Sequence, residues 1–255
     1  MRFCLLASGS KGNSIWIERE GRALVIDNGL SCVEFFKRAN QAGLVTSKIK
    51  DIVVSHEHTD HIGGVGPLAR KLNLTVHMTR LAALSQATRL GVVRLKTFET
   101  GQTLDFGPIS LQTMTGSHDT VDPIAFVVKT NSKSLGLATD LGVMTNLIHQ
   151  NLRNLDALIL EFNHDLNMLL DGPYPFFLKQ RVRSRLGHLS NEEAALALKT
   201  LTHPGLKELV LAHISQTNNT PELARLAAES VLADQAHRPN LTVASQFSPT
   251  AVIEL

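Results

Sequence analysis

Cysteine is nearly absent: Cys4 and Cys32 are the only two in 255 residues. Two thiols make neither a disulfide framework nor a cysteine-based zinc site, and such sparse use matches a reducing cytoplasm. Long apolar runs are missing too. The opening MRFCLLASGSKGN has one Arg and an apolar stretch too short for the core of a secretion signal, and no run elsewhere is long enough to span a bilayer. The expectation is a soluble, cytoplasmic chain with no membrane partner. An excess of one charge is lacking as well. The 25 Lys and Arg against 23 Asp and Glu leave a net +2, too mild to imply nucleic acid unless the charge is concentrated somewhere. There is no internal repeat, no low-complexity linker and no GxxxxGK[ST] phosphate loop.

What is present is an ordinary globular composition, 43% hydrophobic and 19% charged, in a chain long enough to bury a substantial core without staples. RFCLLAS, SIWIE and ALVID, separated by the turn-like SGSKGN and REGR, read as an antiparallel meander. A helix follows, with Ser31 as N-cap, Val33, Phe35, Phe36 and Ala39 as its apolar residues and Gly43 as its stop. Strand and helix then alternate: DIVVS, IGGVGPLARKLN, TVHM and TRLAALSQATRLG. A second strand-rich block, VVRLKTF, TLDF, ISLQTMT, IAFVVKT and SLGLATD, precedes another alternation. There LGVMTNLIHQNL, NEEAALALKTL and PELARLAAESVLADQ read as helices, and DALILEF, LKELVLAH and the closing LTVAS as strands. Periodicity alone stops at α/β or α+β. Two β-rich blocks, each followed by mixed segments, suggest two sheets with helices outside them, a four-layer αββα arrangement in a single domain over residues 1–255.

The chemistry is concentrated in SHEHTDH, residues 55–61, which follows the apolar IVV. In an extended segment alternate side chains share a face, so His56 and His58 can point at one centre. After a turn, Asp60 and His61 can point at a second centre close by. Imidazole and carboxylate without thiolate suit zinc, manganese or iron in a catalytic rather than a sealed site. Three further residues stand where strands end: His118 in MTGSHD, Asp140 in LGLATDLG and His213 in LVLAHIS. Each alone is ordinary, but a two-metal site needs about seven ligands and these complete such a set. His77, His149, His203 and His237 have no such motif around them.

HxHxDH followed by a strand-end His, a strand-end Asp and a final strand-end His resembles the metallo-β-lactamase superfamily, over essentially the whole chain. The resemblance implies the α+β (αββα) sandwich of that superfamily and a pair of divalent ions, zinc first and manganese as the alternative. It implies that His56, His58 and His118 hold one ion, that Asp60, His61 and His213 hold the other, and that Asp140 bridges them with a hydroxide between. Asp27, in LVIDNGLS, matches a family Asp standing behind the ligands, where histidines need a partner to fix their tautomer.

One fold hosts many reactions, so the substrate must come from elsewhere. The opening LLASGSKGNS, the stretch GPYPFFLKQRVRSRLGHLSNEEAA at residues 172–195 and the later LAHISQTNN resemble the WalJ/YycJ-type exonucleases. ILEFNHD, residues 159–165, resembles the Glu and His segment of nuclease members such as tRNase Z. No room exists for a flavin module or for the large inserted domain of RNase J-type enzymes. A physical argument runs beside the resemblance. Between Asp171 and Glu192 there is no acid, yet Lys179, Arg181, Arg183 and Arg185 fall within seven positions. On a helix they would spread over a wide arc while Val182 and Leu186 pack inward. The stretch leads into GHLSN, where His188, Ser190 and Asn191 are placed to meet a phosphate at a helix N-terminus. A basic wall beside a two-metal centre suits a polyanion, DNA before RNA.

The expected activity is a metal-dependent 5′-to-3′ exonuclease on DNA. Asp60 would orient or deprotonate the nucleophile, and His188, with Glu161 and His164, would neutralise the phosphate or protonate the leaving oxygen. Two alternatives stay open. One is a hydrolase of small or cyclic phosphodiesters, with the basic stretch a mere surface. The other is a metal-bound nucleic-acid-binding module without turnover.

Overall fold

The computed structural model describes every residue of the chain apart from the side chain of Ala87. In chain order the strands are β1 Arg2–Ala7, β2 Ser14–Arg19, β3 Arg22–Ile26, β4 Ile49–Val53, β5 Thr75–Thr79, β6 Arg94–Phe98 and β7 Thr103–Asp105. They continue with β8 Ser110–Thr115, β9 Ile124–Lys129, β10 Ser134–Ala138, β11 Ala157–Glu161, β12 Glu208–Ala212, β13 Asn240–Val243 and β14 Ile253–Glu254. The α-helices are α1 Cys32–Gln41, α2 Thr59–Ile62, α3 Val65–Leu72, α4 Arg80–Leu90 and α5 Asn146–Asn151. After them come α6 Leu166–Asp171, α7 Phe176–Val182, α8 Asn191–Leu201 and α9 Pro221–Leu232. The strands form two mixed seven-stranded sheets, ordered β14-β1-β2-β3-β4-β5-β6 and β13-β12-β11-β10-β9-β8-β7. No helix among the described residues is long and apolar enough to cross a membrane.

The chain divides into two compact units. The first comprises Met1–Thr113, Thr120–Ile124 and Ser245–Leu255 and has its own core, in which Trp16, Phe35 and Ile52 are fully buried. Its meander is as the sequence reads: β1, β2 and β3 pair antiparallel. The β2–β3 turn leaves only Glu20 and Gly21 between Arg19 and Arg22, both with positive φ, the two-residue geometry that matches strand twist. From β3 to β6 the pairing is parallel, so each link must cross over, and α1 is the first crossover. Ser31 caps α1 by accepting from the Glu34 N–H, and Gly43 follows its end at φ 66. The helix is rotated from the sequence reading: Phe35, Arg38 and Ala39 face inward, while Val33 is exposed. Arg38 can be buried because its guanidinium donates to the carbonyls of Leu6 and Gln246 and pairs with Glu34.

The second unit comprises Met114–Asp119 and Ala125–Ala244, around a separate core that includes Phe162, Leu198 and Leu211. Strands β10 to β13 run parallel, and β11 (ALILE) is buried at every position, the continuous apolar run expected of a strand covered on both faces. Three readings are corrected here. The helix expected from Leu141 begins only at Asn146, where the Thr145 hydroxyl caps it. Helix α7 stops at Val182, so Arg183 and Arg185 are not on it, and Leu186 is exposed rather than packed inward. Strand β14 and helix α6, too short to show a period, are additions.

Candidate metal centre

Parallel register builds the donor set of the second unit. Strands β11 and β12 align Glu161 with Ala212, so His213, the next residue, lies just past the same edge. Asp140 stands two residues beyond β10. Ligands in such sheets gather at the carboxyl ends of the strands. Asp140 and His213 both adopt left-handed backbone, at φ 57 and 54, a conformation uncommon outside Gly that costs energy and clusters at functional sites. Asp140, Glu161, His188 and His213 each offer a nitrogen or oxygen within 4.8 Å of the others. The Asp140 Oδ1 atom lies 3.4 Å from His213 Nε2 and 3.9 Å from His118 Nε2.

Glu161 organises this set. Its side chain is fully buried, and Oε1 accepts from Nδ1–H of His188 at 2.8 Å and of His213 at 3.0 Å. Oε2 accepts from the backbone N–H groups of Leu141 and Leu189. Burial alone raises a carboxyl pKa, but the attraction and hydrogen bonds of His188 and His213 outweigh it and bring Glu161 down to about 2. An acceptor-only carboxylate requires each Nδ1 to carry the proton, which turns the lone pair to Nε2. His118 is fixed the same way, its Nδ1 donating to the Gly187 carbonyl. Gly142 is held so close to Arg185 that a Cβ there would sit 2.4 Å from its carbonyl carbon.

In the first unit the donors are contiguous. His56 and His58 bring their ring centroids to 5.0 Å, and His56 and His61 to 3.9 Å. His58 stands at the start of α2, and Asp60 and His61 lie in it. Asp27, at φ 58, is the brace. Its carboxylate accepts from the Ser55 N–H, the Ser55 hydroxyl and His61 Nδ1–H, at 2.7, 2.7 and 2.8 Å. With its hydrogen given to Asp27, the Ser55 oxygen accepts from His56 Nδ1–H at 2.9 Å. Asn13, from the GSKGN loop, reaches Asp60 Oδ2 at 3.1 Å and His61 Nε2 at 2.9 Å. Gly29 lets the chain lie against the Asp60 backbone, for a Cβ there would fall 1.9 Å from its carbonyl oxygen.

Each unit thus gathers nitrogen and oxygen donors, and hydrogen bonds at Nδ1 orient the imidazoles of His56, His61, His118, His188 and His213. Borderline divalent ions such as zinc fit that chemistry. The contributions of Asn13, Ser55, Asn163 and Asn219 lay outside the sequence reading. Asn163 donates to the His213 carbonyl, and Asn219 ties together Phe162, Asn163 and Asn191. Asn and Ser carry no ligand signature of their own, and only the segments that contain them, GSKGN, SHEHTDH, ILEFNHD and SQTNN, stood out.

Other expected residues sit differently. His164 is buried outside the converging donors, with no partner for its Nδ1, and burial lowers its pKa. It lines a cavity of about 270 Å³ with Arg183, Ser190, Glu192 and Glu193. Ser190 caps α8 through a capping box with Glu193. Asn191 turns inward: its side chain pairs with Asn219 and its N–H donates to the His164 carbonyl, so neither is available to a phosphate. Arg181 pairs with Asp119, and Lys179 donates to the Leu170 carbonyl. Arg183 and Arg185 are exposed.

Residues 22–214 match the family described as Beta-lactamase superfamily domain. The exodeoxyribonuclease YycJ of Bacillus anthracis is 34% identical over 238 residues, 92% of this chain and 90% of that protein. The exodeoxyribonuclease WalJ of Streptococcus pneumoniae is 35% identical over 91% of this chain and 88% of its own length. Zn²⁺-bound PqqB from Methylobacterium extorquens shares the fold over the full length of both chains, with a TM-score of 0.74 at 17% identity. The chain belongs to the β-lactamase superfamily, with the metallo-β-lactamase fold of a metal-dependent hydrolase.

Proposed function

We propose that the protein is a 5′-to-3′ exodeoxyribonuclease working in the cytoplasm as one metallo-β-lactamase-fold domain over residues 1–255. Identity of 34–35% over about nine-tenths of the chain to two proteins named exodeoxyribonucleases carries this reading. The free cysteines Cys4 and Cys32 suit a reducing compartment. His56, His58 and His118 would hold one divalent ion and Asp60, His61 and His213 a second, with Asp140 shared; zinc is the first choice and manganese the alternative. Such ions lower the pKa of a water ligand toward neutrality and offset charge building on a phosphodiester.

The chain's own groups do the rest. Asp60 orients the attacking water and accepts its proton. Glu161 does not touch substrate; it holds His188 and His213 in one tautomer. His188, its Nδ1–H held by Glu161, would take a second proton from solvent at Nε2, and from there neutralise the scissile phosphate and deliver that proton to the leaving oxygen. Arg183 and Arg185, with Lys179 and Arg181 beside them, hold backbone phosphates. The Ser190 hydroxyl and the buried His164, on the wall of the small cavity, serve the same strand.

The test is a 3′-labelled DNA duplex with a 5′-phosphate, incubated with Zn²⁺ or Mn²⁺ and followed by product length. Progressive shortening from the 5′ end, lost in Asp60→Ala and after EDTA, is the expected result. No cleavage of DNA with either metal, together with turnover of a small aryl phosphodiester, would overturn the nuclease and leave a small-molecule phosphodiesterase.

A further inference from the structure

Helix α7 carries its apolar side chains on the wrong side for a helix that only fills a core. Phe176 and Phe177 are 76% and 73% exposed, while Leu178 and Val182 are half-buried. An exposed phenylalanine pair forfeits the burial that normally justifies such a residue. Its neighbours in sequence are cationic, although Asp119 pairs with Arg181. Arg181 is four positions after Phe177, on the same helical side, and Arg183 and Arg185 follow where the helix ends. The nearest acids in sequence are Asp171 before it and Glu192 after it.

The segment is also tied down by side-chain bonds. Lys179 Nζ donates to the Leu170 carbonyl, the Arg181 guanidinium pairs with Asp119, and the Ser117 hydroxyl donates to the Arg185 carbonyl. The His188 N–H returns to the Val182 carbonyl, so the end of α7 is bonded to the residue proposed to face the scissile phosphate. Two rings on a fixed helix, followed by exposed guanidiniums, have the composition of a stacking platform: base faces settle on aromatic faces while cations track the phosphates. A second protein copy is the competing occupant. The cores of protein interfaces are depleted in charge, whereas every charged residue of the segment itself, between Asp171 and Glu192, is basic and Arg183 and Arg185 are exposed, which favours a polyanion.

We propose that α7 is a stacking platform for unpaired bases of the DNA substrate, Phe176 and Phe177 taking bases and Arg183 and Arg185 their phosphates. This rests on the nucleic-acid reading above and adds to it a preference for single-stranded DNA beside the cut.

The test is binding of the metal-loaded protein to a fluorescent, cleavage-resistant phosphorothioate oligothymidylate, followed by anisotropy across a salt series. The pair Phe176→Leu with Phe177→Leu keeps apolar area but removes the rings. It is expected to weaken binding about 10-fold or more, the scale of one lost base stack. Phe176→Tyr with Phe177→Tyr keeps the rings and is expected to bind within about twofold of the parent. Arg183→Gln should reduce the slope of log affinity against log salt by about 0.7. Equal binding by the parent, the Leu pair and the Tyr pair overturns the platform, and if sedimentation then shows the parent self-associating and the Leu pair not, the face is an interface between copies. Failure of the parent to bind or cut any DNA while it turns over an aryl phosphodiester removes the nucleic-acid reading itself. DNA cleavage that is insensitive to the Leu pair, alongside equal binding, removes only the platform.

Discussion

The two donor sets are made in opposite ways. In the first unit His56, His58, Asp60 and His61 come from the turn after β4 and the short helix α2 it leads into, and chain connectivity does most of the positioning. Asp27 needs to fix only His61 and, through Ser55, His56. In the second unit Asp140, His188 and His213 come from separate strand and loop ends up to 73 positions apart; sheet register aligns Asp140 and His213, and His188 arrives on the loop between α7 and α8. There a single buried carboxylate, Glu161, joins three of the pieces: the His188 loop, the strand-end His213 and the Leu141 backbone next to Asp140. A contiguous set needs a tautomer brace. A dispersed one needs a keystone as well.

That contrast ranks the expected effects of breaking each brace. Glu161→Ala leaves two imidazole N–H and two backbone N–H groups without their acceptor inside the core, so it should cost about 3–5 kcal/mol of stability as well as activity. Urea denaturation measures it. A fully stable Glu161→Ala protein would show that register alone holds the second set. Asp27→Asn is the milder counterpart. Asn tolerates left-handed backbone and keeps the shape, so stability should change little, while loss of the fixed His61 tautomer should weaken metal binding about 10–100-fold. Competition with a chelator reads that loss. If Asp27→Asn destabilises as much as Glu161→Ala, the distinction between brace and keystone fails.

The same contrast explains what could be read from the sequence. HxHxDH is visible because its residues are adjacent, and the strand-end positions of His118, Asp140 and His213 follow from apolar runs that stop. The α+β class and most strands were visible for the same reason. The role of Glu161 was not, for nothing local in ILEFNHD says that a glutamate will be buried with four donors around it; the resemblance suggested contact with substrate instead. Asn191 shows the reverse error. As the first residue of a helix it looked open to a phosphate, yet tertiary pairing with Asn219 turned it inward. The basic run misled through its period, since Ser184 to Gly187 turn back on themselves and Leu186 has no core to enter.

A carboxylate beside an imidazole is not enough to make either kind of site, and Asp51 shows why. On β4, facing away from the donors in sequence and partners alike, it accepts from His77 Nε2 at 2.8 Å and from Arg22 at 2.7 Å. Burial pushes its pKa up, but the hydrogen bonds and charges of His77 and Arg22 outweigh that and leave it below the usual carboxylate range. A folded pKa below the unfolded one means that the stabilisation is present above the unfolded value, about 3.9 for Asp, and is lost as pH falls through the folded one. With Arg22 partly exposed, the interaction is small. Asp51→Asn should therefore cost about 1 kcal/mol at neutral pH, with the gap to the parent closing as the pH drops below about 4. Thermal unfolding of both proteins across that range measures it. A gap that stays constant would mean the charge on Asp51 contributes nothing and its shape alone is used, making this pair a packing element with no electrostatic likeness to Asp27 or Glu161.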